Sequence, residues 1–413
     1  MAWIGELDFN IDIREDDVEL RKLFRQLLPY LHRRIMENTS MYDNVTLHLN
    51  TTQDGVLAPT VSEILQTFAP AVILVDRIIS PIWYVVGLIG NPISAFVWLN
   101  RRMRKNNSSA IYLGTLAIVH TIFLFLHFIM ELNYAWDTPT YNKPVICALF
   151  NVLLIMPQYL TPLFVMAFTV ERYIAVCHPF SKEKFCTVTR AIKVSVCLTT
   201  FSLSLASVQA YIWVYVEEHQ SCVFAPHDDI VKFEKVWTMV TEMLLFFIIP
   251  VCVLVFNVCV IREIKRITTS GPVNTPQSGC GSPTSTITLL SVSFYFICTL
   301  LPASIVYALQ SLLPQGKFPS TLQQMAVDPV WQRYFTYLTI RKVVEEICLS
   351  NNALYGYIYY ITGPHFRKVV NKMFGITKCK KLMKKSSTQS PKSEYSLVSS
   401  NGKSQYDCVS TQI

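Results

Sequence analysis

Seven times along this chain, polar sequence gives way to a run of twenty or more mostly apolar residues. The windows lie at about 76 to 100, 108 to 135, 146 to 177, 190 to 214, 236 to 262, 285 to 312 and 336 to 361. A hydrocarbon core about 30 Å thick is crossed by roughly 20 residues rising 1.5 Å each, so each window is long enough to span it. In lipid the backbone must satisfy its own polar groups, and a single run does so as a helix. The pattern therefore predicts an all-α fold, a seven-transmembrane helix bundle over 76–361, with tails at either end.

Loop charges orient the bundle. Arg101, Arg102, Arg104 and Lys105 follow the first window, Lys182, Lys184, Arg190 and Lys193 separate the third from the fourth, and Arg262, Lys265 and Arg266 end the fifth. The segment beyond Pro364 adds Arg367, Lys368, Lys372, Lys378, Lys380, Lys381, Lys384 and Lys385. These segments are expected on the cytoplasmic side. Residues 1–75, with eleven acids against six bases, are expected outside as a glycosylated tail. Asn38, Asn44 and Asn50 there are each followed by the x-Ser/Thr pattern that accepts glycan on the lumenal side. Asn106 and Asn107 match it too, but fall in an inner loop. The opening stretch "MAWIGELDFN" lacks a basic flank and apolar core, so the first span is expected to serve as an uncleaved anchor.

Composition agrees. The chain has 413 residues, 51% of them apolar and 15% charged, which is too apolar for a soluble protein of this length. Its net charge of +8 belongs to a face attracted to anionic lipid, and does not suggest nucleic acid. Of twelve cysteines, only Cys147, at the outer end of the third span, and Cys222, in "EEHQSCVF", fall in the oxidising compartment, so these two are expected to bond. No Walker loop, metal-ligand spacing or catalytic constellation stands out, so neither an enzyme nor a cofactor is expected.

The third run ends in "ERYIAVCHPF", 171 to 180. Arg172 lies 25 residues after Cys147, which returns it to nearly the same helical face at the opposite end. Charges at membrane depth are costly and mark function. Glu171 beside it is a partner that Arg172 can exchange for a cytoplasmic one; the plain alternative is an arginine snorkelling to the interface.

With the Glu-Arg-Tyr triplet stand "GN" at Gly90 and Asn91, Pro250 in the fifth run and "FICTLLP" in the sixth. Together these features resemble rhodopsin-like G-protein-coupled receptors over residues 76 to 375. The stretches "TVERYIAVCHPF" and "FCTVTRA" further resemble the FMRFamide-type neuropeptide receptors of invertebrates. The resemblance implies that Glu171, Arg172 and Tyr173 form the cytoplasmic switch that meets a heterotrimeric G protein, with Tyr359 as the seventh-helix tyrosine that supports it. It also implies that "GPHFRKVVNKMF" is a short amphipathic eighth helix on the inner leaflet (363–375), with Cys379 a palmitoylation candidate beyond it. The tail 376–413, rich in Ser and Thr, is expected to be disordered and to recruit arrestin once phosphorylated.

Departures from the family pattern matter as much. His120 stands where the family has an acid, Tyr355 and Gly356 replace the seventh-helix Asn-Pro pair, and Leu300 replaces a Trp. With His120, Thr161, Asn351 and Tyr355 offering no carboxylate, the family's sodium site is not expected. A histidine there makes the receptor pH-sensitive, or stands neutral and hydrogen-bonded in the bundle. No acid lies between Thr268 and Thr288 to hold Arg172 from the sixth helix, which predicts raised basal activity.

For the ligand, the resemblance excludes two classes. Leu154 occupies the aspartate position of amine receptors and Leu349 the lysine of opsins. The expected ligand pocket comprises Glu131, Leu154, Gln158, Glu242, Tyr307, Arg341 and Glu345. Its acids suit a cationic, amidated peptide ending in Arg-Phe, since guanidinium and carboxylate pair bidentately. Glu131 has no evident helical partner, Glu345 has Arg341 one turn before it as an alternative partner, and Glu346 is expected to point elsewhere. Phe150, Tyr211 and Tyr307 are candidates for holding the peptide's Phe, or are packing. Residues 14–36 carry an amphipathic pattern broken by Pro29. The rival readings are a chemosensory receptor for a small molecule on the same fold and, less well supported, a transporter, for which paired interrupted helices are absent.

Overall fold

The computed structural model describes residues 61–105, 107–136, 138–217, 220–225, 228–269, 283–310 and 322–375. Asn38, Asn44, Asn50, the 14–36 pattern, Cys379 and the tail 376–413 lie outside the described residues. The chain divides into two compact units, 1–367 and 368–413, and the helical bundle belongs to the first.

The bundle helices are α1 (Pro70–Leu99), α2 (Ser109–Tyr134), α3 (Ile146–Cys177) and α4 (Val188–Ala206). Helix α5 runs through Asp228–Glu242, a wider π-type turn at Met243–Ile248, and Ile249–Thr269. Then come α6 (Pro283–Gln310) and α7, which runs through Pro329–Ala353 and resumes at Tyr355–Thr362. The last helix, α8 (Pro364–Met373), begins in the first unit and passes into the second at Lys368. The end of the bundle carrying Cys147 is called the outer end below.

Burial follows the expected division between lipid and core. On α1 the residues Leu74, Ile78, Ile82, Val85 and Ile89 recur every three to four positions and are all exposed, a stripe stable only against lipid. Helix α3 is the most enclosed of the spans, with Phe164, Val165 and Phe168 fully buried at the axis of the bundle. Six described helices are long and apolar enough to cross a membrane, and α7 is not among them. The reason is that Arg341, Lys342, Glu345 and Glu346 sit within it, and such charges are tolerated at depth only when paired inside the protein.

Two features were not expected. A two-stranded ribbon, β1 (Trp213–Val216) and β2 (Ser221–Phe224), pairs antiparallel with Tyr215 opposite Cys222. A short helix, Val61–Phe68, also precedes α1, and its Phe68 stacks on Phe335 of α7 at 4.9 Å. This caps a cluster of Ile64, Met325 and Trp331. Helix α7 meets α1 closely at Gly356, where an added Cβ would lie 2.6 Å from Ser94 Oγ and 2.9 Å from the Gly90 carbonyl oxygen. Having no Cβ, Gly356 is what allows that approach.

Candidate functional site

At the outer end, Cys147 and Cys222 are joined as a disulfide that ties β2 to the start of α3. Asn142 supports the ribbon from below, its Oδ1 accepting from the Cys222 N–H at 3.3 Å. Beneath lie two charged groups of residues. In the first, Arg341 Nε donates to Glu345 Oε1 at 2.7 Å, the Tyr307 hydroxyl donates to the same oxygen at 2.8 Å, and the guanidinium lies 4.7 Å from the Tyr307 ring centroid. Of the two readings of Glu345, the partnered one therefore holds in this structure. Glu242, at the last residue before the wide turn of α5, feels the charge of the same Arg341.

The second group corrects the expectation for Glu131 and Glu346. Lys342 Nζ pairs with Asp76 of α1, lies 3.4 Å from Glu346 Oε1, and lies 3.9 Å from Glu131 Oε1 on α2. Glu346 also accepts from the fully buried Ser80 hydroxyl at 2.8 Å. Glu131 thus has a partner, but on another helix, which spacing within α2 cannot reveal. Glu346 faces this cluster because i and i+4 share a helical face with Lys342. One turn below Glu131, His127 Nδ1 bonds the Tyr84 hydroxyl at 2.8 Å.

Leu154 and Leu349 are packed into an apolar floor with Tyr84, Phe123 and Phe150, and the Phe150 ring stacks on Tyr141 at 4.2 Å. Gln158 is half-buried one turn further in on α3, whereas Tyr211 is exposed, edge-on to Phe233 of α5.

Mid-bundle, His120 is fully buried and neither ring nitrogen has a hydrogen-bond partner among the described residues. It packs edge-on against Tyr355 at 4.9 Å, so the hydrogen-bonded histidine anticipated from sequence is not what the structure contains. Polar side chains near it find partners elsewhere. Asn351 Oδ1 accepts from the Tyr355 hydroxyl at 2.9 Å and from Thr299 at 3.3 Å, while Thr161 donates to the Pro157 carbonyl of its own helix at 3.0 Å.

At the inner end, Glu171 is buried and accepts from Ser108 and, at 3.4 Å, from Ser109, both at the start of α2. Arg172, half-buried, donates from Nη2 to the Ser109 oxygen at 2.6 Å. Ser109 therefore bridges the acid and the base. Neither serine carried a signal in the sequence beyond standing at a helix start. Arg172 also lines a small cavity with Thr169, Asn257, Leu289 and Ser293, and Asn257 donates to Ser293 at 2.8 Å, linking α5 to α6. Tyr173 packs on Phe256 at 5.1 Å, and Tyr359 is wedged among Trp98, Tyr355 and Phe366.

A half-buried arginine held by Ser109 stands at one end and paired charges under a disulfide-tied ribbon at the other, with a buried polar layer between them. Residues 93–339, more than half of the chain, match the family model of the seven-transmembrane receptors of the rhodopsin family. The chain belongs to the rhodopsin family of receptors. It is accordingly a multi-pass membrane protein, and its family is one of receptors rather than enzymes.

Relatives of this receptor vary in what their names declare. It is 29% identical over 141 residues to the pyrokinin-1 receptor of Drosophila melanogaster, covering 34% of this chain and 33% of that one. It is 25% identical over 308 residues to the B2 bradykinin receptor of Rattus norvegicus, covering 71% and 72%. It is 24% identical over 298 residues to succinate receptor 1 of Mus musculus, covering 70% and 87%. The chain thus spans only a third of the first of these relatives.

Proposed function

We propose that this receptor stands in the plasma membrane with its N-terminus outside and is switched by an extracellular cationic peptide, amidated and ending in Arg-Phe, to drive nucleotide exchange on a heterotrimeric G protein. The observation that carries the ligand class is the charge balance of the outer bundle. Asp76, Glu131, Glu242, Glu345 and Glu346 stand there against Arg341 and Lys342, while Arg77, beside Asp76, donates to the Ala135 carbonyl at 2.9 Å. An excess of carboxylates at a low-dielectric mouth attracts cations and repels anions. A dicarboxylate ligand, which the name of the succinate relative would suggest, meets repulsion here. The names of the pyrokinin and bradykinin relatives favour a peptide.

In this reading Glu131, Glu242 and Glu345 receive the ligand's cations, Tyr307 and Arg341 wall the mouth, and Leu154 and Gln158 form its depth. A peptide that binds better when the helices have shifted biases the receptor toward that state. At the inner end the shift draws Arg172 off Ser109 toward the G protein, and Tyr359 leaves its aromatic wedge to support it. Glycans on Asn38, Asn44 and Asn50, a palmitoyl group on Cys379 and arrestin on the phosphorylated tail belong to the same proposal. So does α8 lying on the inner leaflet, with its basic residues facing lipid phosphates.

The test is expression with a promiscuous Gα subunit and a panel of amidated peptides. An Arg-Phe-amide peptide is expected to signal in the wild type, with lowered potency in Glu345→Gln and no signal in Arg172→Ala at equal surface delivery. A response confined to uncharged small molecules would overturn the ligand class.

A further inference from the structure

The cluster around Lys342 gathers three carboxyl groups about one ammonium. Side-chain exposures are 14% for Asp76, 5% for Glu131, 7% for Glu346 and 11% for Lys342, so bulk water does little to make up the difference. The three acids come from α1, α2 and α7, and the single ammonium lies among them. The second oxygens of Glu131 and Glu346 are buried and have no donor among the described residues. A buried carboxylate oxygen without a donor is costly, and chains retain such groups where something else arrives to meet them. The cation that stands in the cluster now, the Lys342 ammonium, is one with N–H donors, and that is the class the three carboxyl groups are arranged around.

We propose that Asp76, Glu131 and Glu346 form a binding site for an organic cation bearing N–H donors, a primary ammonium or a guanidinium, and that Lys342 fills this site in the resting receptor as a tethered stand-in. The geometry suits the class. A guanidinium offers five donors, one for each of the two orphaned oxygens and the three that Lys342 now faces, while a primary ammonium, with three, replaces Lys342 like for like. Lys342 is carried on α7 while two of the acids sit on α1 and α2. A ligand cation that takes its place therefore releases α7 from those helices. This deepens the peptide reading by naming where the ligand's cation goes and what it displaces, yet the site itself stands on charge and geometry alone.

The experiment uses the full-length receptor purified in lipid nanodiscs, with no peptide and no G protein. Lys342→Ala removes the tethered cation and is expected to lower Tm. Titrating n-butylammonium or n-butylguanidinium is then expected to restore at least half of the loss, saturably. Tetramethylammonium at the same ionic strength, having no N–H, is expected to restore little. In Lys342→Ala/Glu131→Gln the midpoint is expected to rise several-fold. The proposal is overturned if neither cation restores Tm, if tetramethylammonium does so equally, or if removing Glu131 leaves the midpoint unchanged. Should Lys342→Ala not fold, the same titration on Lys342→Ala/Glu346→Gln, which removes one charge of each sign, decides between the same outcomes. Because no peptide enters the assay, its failure is distinct from a failure of the ligand assignment.

Discussion

Ser109→Ala removes the oxygen that accepts Arg172 at 2.6 Å while leaving Ser108 to hold Glu171. A hydrogen bond to a charged group contributes about 1.5–3 kcal/mol when well buried. Arg172 is half-buried and borders the inner cavity, so a value discounted to just below that range, about 1.4 kcal/mol, is appropriate. If the bond exists only in the resting state, its loss moves the equilibrium toward the active state by roughly tenfold, since about 1.4 kcal/mol is one decade. An active state populated at roughly 1% would rise to roughly 10%. The assay is ligand-free nucleotide exchange on purified G protein with matched amounts of receptor. Ser109→Thr, which keeps the hydroxyl, should stay near wild type. Basal exchange within twofold of wild type in a folded Ser109→Ala receptor would refute the idea that Ser109 holds the resting state.

Three further outcomes follow from the geometry. Cys222→Ser opens a closure of 75 residues, worth at most about 4.5 kcal/mol by chain entropy, and less here because the helices stay inserted. A lowered Tm and weaker surface delivery are expected, measured by thermal unfolding and surface labelling. Gly356→Ala forces a Cβ to 2.6 Å from Ser94 Oγ and 2.9 Å from the Gly90 carbonyl oxygen; about 1–3 kcal/mol of destabilisation is expected, read as a drop in Tm. Cys186 lies in the inner connection between α3 and α4, its thiol against the Glu171 carbonyl at 3.5 Å, and burial pushes that thiol up to about 11. A raised thiol pKa leaves little thiolate at neutral pH, so maleimide labelling of a receptor with Cys186 as its single free cysteine should be slow at pH 7.4 and still be rising above pH 9. A plateau near pH 8.5 would contradict the burial.

What the sequence reveals here depends on whether the signal is local. The apolar windows are local, and all seven correspond to helices, with α1 beginning six residues earlier than its window and α7 seven. The α7 start was within reach, because Asp328 before Pro329 is an N-cap, its side chain accepting from the Val330 N–H at 2.8 Å. The Lys342–Glu346 pair was legible as an i, i+4 contact, and Arg341–Glu345 is the same spacing. The pairing of Lys342 with Asp76 and Glu131 crosses three helices, so no spacing rule finds it. The first strand of the ribbon, Trp213–Val216, alternates aromatic and β-branched residues, but the second, Ser221–Phe224, does not, and the lipid-length window ending at 214 obscured the pair. Ser108 and Ser109 were invisible because a serine at a helix start is commonplace, and only the fold brings Glu171 and Arg172 to it.

The central claim is that Arg172 passes occupancy of the charged outer mouth to a G protein at the inner end. The most direct measurement combines peptide binding and nucleotide exchange on the same purified receptors in lipid, wild type and Arg172→Ala, using an amidated Arg-Phe peptide found active on the wild type. The account predicts that Arg172→Ala binds the peptide with near-normal affinity while exchange stays at the receptor-free rate. Peptide-driven exchange in Arg172→Ala equal to that of the wild type would contradict it.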